Sequence, residues 1–232
     1  MSSLPDVTFL YGRARALGSP TAGDPMNTVM IERGCFLGLA TSAIEAYNRE
    51  TNGYLIGYPE RGRRRTVLQA SLPLQTEDRK PSGVEHGNAR AFDRARRTMR
   101  GLESGLRRVG GFHSHTGDDG APALSASDLE YIQQEVGWAH TATPRPWEDR
   151  WLEIVVAIRR REYVRQRRKA WTWRRYARKI GCTVAIKPQT GYDMTFSGYW
   201  VPVESNGGPG RSIAGRPSEV ALRAPWQRHL RG

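Results

Sequence analysis

The sequence predicts an α/β fold, and three observations carry that expectation. Apolar residues recur at helical spacing in Cys35 to Arg49, Ala89 to Arg107 and Ser125 to Val136. Runs of strand character lie between them, at Tyr54 to Tyr58, Thr66 to Leu74 and Arg108 to His115. Trp151 to Ile158, with Val155 and Val156, is an apolar run that reads as a buried strand.

In chain order, residues 1–26 mix Pro, Gly and Ser and read as an irregular lead-in. Asn27 to Glu32 is a short strand with Val29 and Ile31 on one face. In the helix from Cys35, the residues Phe36, Leu37, Leu39, Ala40, Ile44 and Tyr47 are apolar, and it delivers Glu50 at its end. Pro59 to Gly62 has turn composition, so the two strands around it form a hairpin. Gln75 to Asn88 is a polar loop, and His86 within it is an exposed loop residue. Cys182 to Ile186 and Met194 to Val203 are closing strands. Beyond Glu204, Gly, Pro and Arg mark a basic tail over 205–232, with a short helix around Glu219 to Leu222. The expected organisation is one domain over 27–204.

A chain of 232 residues buries enough apolar surface to fold without a staple. Two cysteines, Cys35 and Cys182, in unrelated contexts argue against a disulfide framework and fit a reducing cytosol. No apolar run approaches a membrane span, and the N-terminus lacks the plan of a signal peptide. A cytoplasmic protein without a membrane partner is the expectation.

The chemistry centres on Gly111-Phe112-His113-Ser114-His115 and Ser125-Ala126-Ser127-Asp128. Histidines at i and i+2 on a strand point to the same side, so both imidazoles can close on one ion. Ser125 stands where a helix begins, and Asp128 falls one turn inside it. Two imidazoles and a carboxylate are three of the four ligands zinc takes, and the open fourth position is that of a catalytic site. A histidine pair at a strand end followed by a helix cap is the competing account.

Upstream, Glu50-Thr51-Asn52-Gly53-Tyr54-Leu55-Ile56-Gly57 places a glutamate before an apolar strand. Together the segments resemble the signature of the JAMM metalloproteases, also called the JAB or MPN+ family, to which the proteasome-lid deubiquitinase and prokaryotic relatives belong. The resemblance covers residues 27–136 best. It implies an α/β domain with a mixed, curved sheet flanked by helices. It implies Glu50 as general base, His113, His115 and Asp128 as ligands of one zinc ion, and Ser125 as the hydroxyl that supports the oxyanion. Only the family pattern selects Glu50 over Glu45. The implied activity is hydrolysis of the isopeptide or peptide bond after the C-terminal tail of ubiquitin or a ubiquitin-like protein, in deconjugation or precursor maturation. Prokaryotic relatives also process sulfur-carrier proteins. This sequence departs from the pattern between His115 and Ser125, where nine residues replace the usual seven and Thr116 stands where proline is common. Gly117-Asp118-Asp119-Gly120 reads as the longer turn.

Arg159 to Lys179 is unlike the rest of the chain. Eleven Arg or Lys against Glu162 supply about ten of the thirteen net positive charges. Trp171, Trp173 and Tyr176 interleave with them. Three readings stand: a nucleic-acid surface that contacts phosphates and stacks bases, a protruding insertion that docks an acidic protein, or an Arg-rich solvated helix. In the first of these the chain is a nucleic-acid- or assembly-associated binding module, with the zinc site secondary.

Overall fold

The computed structural model describes residues 28–60, 65–74, 78–80, 83–85, 94, 107–116, 123–137, 149–163, 170–205 and 211–230. The expected lead-in, nearly all of the helix expected at 89–107 and the turn at 117–120 lie outside them. The strands are β1 (Thr28–Ile31), β2 (Asn52–Glu60), β3 (Arg65–Pro73), β4 (Asp78–Lys80), β5 (Gly83–Glu85), β6 (Arg107–Thr116), β7 (Arg150–Glu162), β8 (Trp171–Arg175), β9 (Ile180–Lys187), β10 (Thr190–Ser205), β11 (Arg211–Ile213) and β12 (Ser218–Arg223). The helices are α1 (Arg33–Glu45) and α2 (Ala126–Gly137), and a 3-10 segment spans Pro225–Leu230.

The sheet is mixed, as expected, but it closes on itself. Its order is β12-β1-β3-β2-β6-β7-β10, and β10 pairs with β12 to complete a ring. The expected curved sheet is therefore a barrel. Closure depends on the length of β10, sixteen residues against a usual five or six. One edge of β10 serves three neighbours: Thr190–Phe196 pairs with β9, Gly198–Trp200 with β12 and Val203–Ser205 with β11. Gly198 stands where the edge changes hands. A side chain there would press within 2.6 Å of Leu222 and 2.7 Å of Val220, so glycine admits the closing strand. The β9–β8 ribbon continues beyond β10 as a flap of the same sheet.

The core explains the helix pattern. Cys35, Phe36, Leu39, Ala40 and Ala43 bury one face of α1 against Ile31, Leu55, Leu68, Phe112, Ile154, Val156 and Phe196. Both cysteines are free thiols in this core, each pushed up to about 12 chiefly by burial. The second helix covers the opposite face of the wall, where Ile132 and Val136 meet Trp151, Val201 and Val203. Among the described residues, no helix is long and apolar enough to cross a membrane.

Four sequence expectations need correction. The helix α1 ends at Glu45, and the chain then turns through Asn48, whose φ of 78° lies in the left-handed region that stops helices. Glu50 belongs to the connection into β2. The polar loop at 75–88 contains the hairpin β4–β5. The helix expected at Glu219 to Leu222 is the strand β12, and the described residues 211–230 of the expected irregular tail carry two strands and a 3-10 segment. Val220 and Leu222 are buried, and Trp226 donates its indole N–H to the Ile31 carbonyl at 2.8 Å. Ser-Glu-Val-Ala-Leu-Arg alternates at period two, which a helix reading overlooks.

Because Leu222 is a wall residue, Leu222→Ala should lower stability by roughly 2–5 kcal/mol in chemical denaturation. A dispensable tail would show no change.

Candidate metal centre

The site lies on the outer face of β6, where α2 begins. Alternation along β6 puts Gly111, His113 and His115 on this face and buries Phe112 on the other. The N-terminus of α2 supplies Asp128 through a reciprocal cap. The Asp128 N–H donates to Ser125 Oγ at 3.2 Å, and the Ser125 N–H donates to Asp128 Oδ2 at 2.6 Å. Thus the expected cap and the expected ligand are the same residues. The cap aims the carboxylate back at the histidines.

The three side chains converge. His113 Nε2 lies 3.0 Å from His115 Nε2 and 3.3 Å from Asp128 Oδ1, and His115 Nε2 lies 3.3 Å from Asp128 Oδ2. One ligand atom from each falls within 4.8 Å of the others. Ligands about 2.0–2.1 Å from a tetrahedral ion stand about 3.3 Å from one another. The donor set and its spacing therefore fit a zinc-like cation.

Charge points the same way. Burial disfavours a charged His113, but the carboxylates of Asp128 and Glu153 outweigh it and push its pKa up to about 10. Burial raises the Asp128 carboxyl, yet hydrogen bonds from both histidines and the Ser125 amide hold it below the usual carboxylate range. The same carboxylate charge that favours a proton on His113 would favour a cation between the three side chains.

Glu50 reaches this cluster through the β2–β6 ladder. Asn52 is opposite His113, and two hydrogen bonds extend the contact: Thr51 N–H donates to the Ser114 side-chain Oγ at 3.0 Å, and Ser114 N–H donates to the Thr51 carbonyl at 2.8 Å. This pairing brings the segment just before β2 alongside the histidines, and Glu50 feels the charges of His115, His113 and Asp128. Burial raises the Glu50 pKa, the charges of His115 and His113 lower it, and Asp128 raises it, with a net rise. Ser125 Oγ also lies 2.8 Å from Ser127 Oγ. Glu45, the rival acid, is exposed on α1.

Glu153 is the residue that sequence reasoning missed. It is fully buried in β7, with Oε1 2.8 Å from His113 Nδ1 and Oε2 accepting the Trp151 indole N–H at 2.6 Å. The available signal was a single acid inside the apolar run Trp151-Leu152-Glu153-Ile154-Val155-Val156, since a buried carboxylate needs a partner.

The fold and site define a barrel with a candidate His-His-carboxylate metal centre on its outer wall. A family described as prokaryotic homologs of the JAB domain matches residues 33–174, more than half the chain. The chain belongs to this family. No curated protein matches it. It is similar to the solution structure of protein DSY2949 from Desulfitobacterium hafniense, at 16% identity and a TM-score of 0.44, covering 88% of this chain and 99% of that one.

Metal uptake should displace the proton between the histidines. With His113 raised to about 10, calorimetry at pH 7 in buffers of different ionisation enthalpy should show proton release on zinc addition. For the metal-free chain, the His113 contribution to stability is full below the ordinary value of 6.5 and is lost as pH rises through about 10. That of Asp128 is full above its ordinary 3.8 and is lost as pH falls below it. Melting of the metal-free chain should therefore weaken from pH 7 to 10, and zinc should restore it.

Proposed function

We propose that this chain is a metal-dependent peptidase that hydrolyses an amide bond following an extended C-terminal tail, with zinc as the metal and a ubiquitin-like protein as the substrate class. The observation that carries the reading is Glu50, a partly buried carboxylate coupled by charge to His115, His113 and Asp128, beside a complete His-His-Asp donor set. Isopeptide cleavage and precursor maturation share this chemistry, as does the processing of a sulfur-carrier protein.

His113 Nε2, His115 Nε2 and an Asp128 oxygen would hold the zinc. When bound, it supplies Lewis acidity for activating water and polarising a carbonyl. Glu50 takes the proton of the attacking water on a carboxylate oxygen and returns it to the leaving amine nitrogen. The Ser125–Ser127 pair can leave one hydroxyl proton to donate to the carbonyl oxygen as negative charge develops there. The cap keeps Ser125 and Asp128 in register, so the oxyanion donor and the metal ligand move as one unit.

Replacing Glu50 by Gln keeps the volume and removes the proton acceptor. Glu50→Gln should retain zinc and substrate binding while kcat falls by ~10² or more, measured on a ubiquitin-like protein extended past its terminal glycine. Near-normal turnover would return Glu45 to consideration. If the zinc-loaded wild type cleaves no such substrate, the peptidase reading fails.

The basic segment supports an acidic protein partner over stacked bases. Strand alternation turns Trp171 and Trp173 inward, where they stack on each other with centroids 5.8 Å apart and pack around Phe36. The indoles are thereby committed to the core, which leaves fewer aromatic faces for bases. Arg159 and Arg161 share the face of His115, which pairs with Ala157. Arg174 lies out there too, joining Arg161 on Asp193 at 3.0 and 2.8 Å. Neutralising Arg159 and Arg161 to Gln should slow association with an acidic substrate, most at low salt, and spare cleavage of a short uncharged peptide. Equal losses on both substrates would remove the docking idea.

A further inference from the structure

Glu153 has no part in the proton transfers above, yet four observations tie it to the metal centre. Both carboxylate oxygens are engaged, Oε1 by His113 Nδ1 and Oε2 by Trp151 Nε1. An indole N–H can only donate, so Oε2 is fixed as an acceptor and the orientation of the carboxylate follows. Its room is made by a missing side chain. Gly111 is the cross-strand partner of Glu153, and a Cβ there would lie 3.0 Å from Oε2 and 2.9 Å from the Trp151 ring.

The indole is fixed in turn. The Arg108 guanidinium stands 5.1 Å from the centre of the Trp151 ring, and its Nη1 lies 3.1 Å from Glu135 Oε2. Glu135 is on α2, the helix that carries Asp128, and Arg108 is on β6, the strand that carries both histidines. The contacts Glu135–Arg108–Trp151–Glu153–His113 thus connect the two elements from which all three ligands come.

The geometry points to Glu153 as a positioning residue of the metal centre, holding His113 in the Nδ1–H tautomer with Nε2 turned to His115 and Asp128. This rests on the metal reading of those three side chains. A carboxylate that accepts the distal N–H of a histidine ligand fixes its ring and raises its basicity. Packing alone would not need the charge. A fully buried carboxylate is costly to desolvate, and a neutral amide could fill the same volume. With neutral imidazoles, Asp128 and Glu153 together balance one divalent cation.

Three readouts on the full chain test this: zinc affinity by chelator competition, the His113 tautomer by ¹⁵N NMR, and thermal unfolding in chelator. Glu153→Gln should weaken zinc binding roughly 10–100-fold and change the His113 ring-nitrogen signature, while the metal-free protein still unfolds cooperatively. Trp151→Phe keeps a ring beneath Arg108 but drops the indole donor. It should lose affinity to a smaller degree, and it serves if the glutamine variant does not fold. Glu130→Gln, an exposed change on α2, should alter neither affinity nor tautomer. Unchanged affinity and tautomer in a folded Glu153→Gln, or in Trp151→Phe if that is the variant that folds, would overturn the proposal. A wild type that takes up no zinc would overturn the metal reading and this inference with it. Absence of peptidase activity in a zinc-loaded wild type would sink the proposed function and leave the Glu153 role standing.

Discussion

Two imidazole nitrogens 3.0 Å apart, each 3.3 Å from a carboxylate oxygen, make a pocket that favours positive charge. A carboxylate faces both rings, and a second one, Glu153, backs His113. A proton on His113 meets this preference in the metal-free chain, and Asp128 and Glu153 together raise its pKa to about 10 against the pull of burial. A divalent cation meets the same preference with a larger charge. The surrounding structure can be understood as what is needed to hold these groups at that spacing while neither charge state is lost.

Each ligand is held by a different device. The histidines are set by the pleat of β6, whose neighbours β2 and β7 fix it on both sides. Asp128 is set by its exchange with Ser125, a local motif that tolerates a change in the preceding turn. That independence bears on the nine residues between His115 and Ser125. A longer connection changes the path of the chain between the ligands, but the end points are determined by the ladder and by the packing of Ile132 and Val136 on Trp151 and Val201.

Local patterns made much of the site legible in the sequence. His113 and His115 declare themselves by spacing on a strand, and Asp128 by its offset from a capping serine. Glu50 was not legible from its surroundings: it lies past a left-handed turn at Asn48, and the nonlocal pairing of β2 with β6 brings its segment to the cluster. Glu153 is forty residues from His113, and no local pattern joins them. Barrel closure escaped for the same reason. Pairing of Gly198–Trp200 with Ser218–Val220 is a nonlocal event. The Gly, Pro and Arg content after Glu204 masked the short alternation of β12. In β8, a basic and aromatic mixture concealed a plain period of two, with indoles inward and Thr172 and Arg174 outward.

That alternation also bears on how the basic segment relates to the chemistry. His115 pairs with Ala157, so Arg159 and Arg161 stand two and four residues further along the same face, about 7 and 13 Å at the usual rise per residue. The screening length at physiological salt is about 8 Å. Arg159 therefore lies near enough to influence charge in the cleft, and Arg161 is near the limit. Arg161 and Arg174 also share Asp193, which cancels part of their field. The immediate site carries the carboxylates of Glu50, Asp128 and Glu153, so an acidic substrate would be repelled by the metal-free centre and drawn by the arginines beside it. A bound divalent cation reverses the first term and leaves the second. If an acidic partner binds beside the site, its binding and that of a metal should thus favour each other through charge alone.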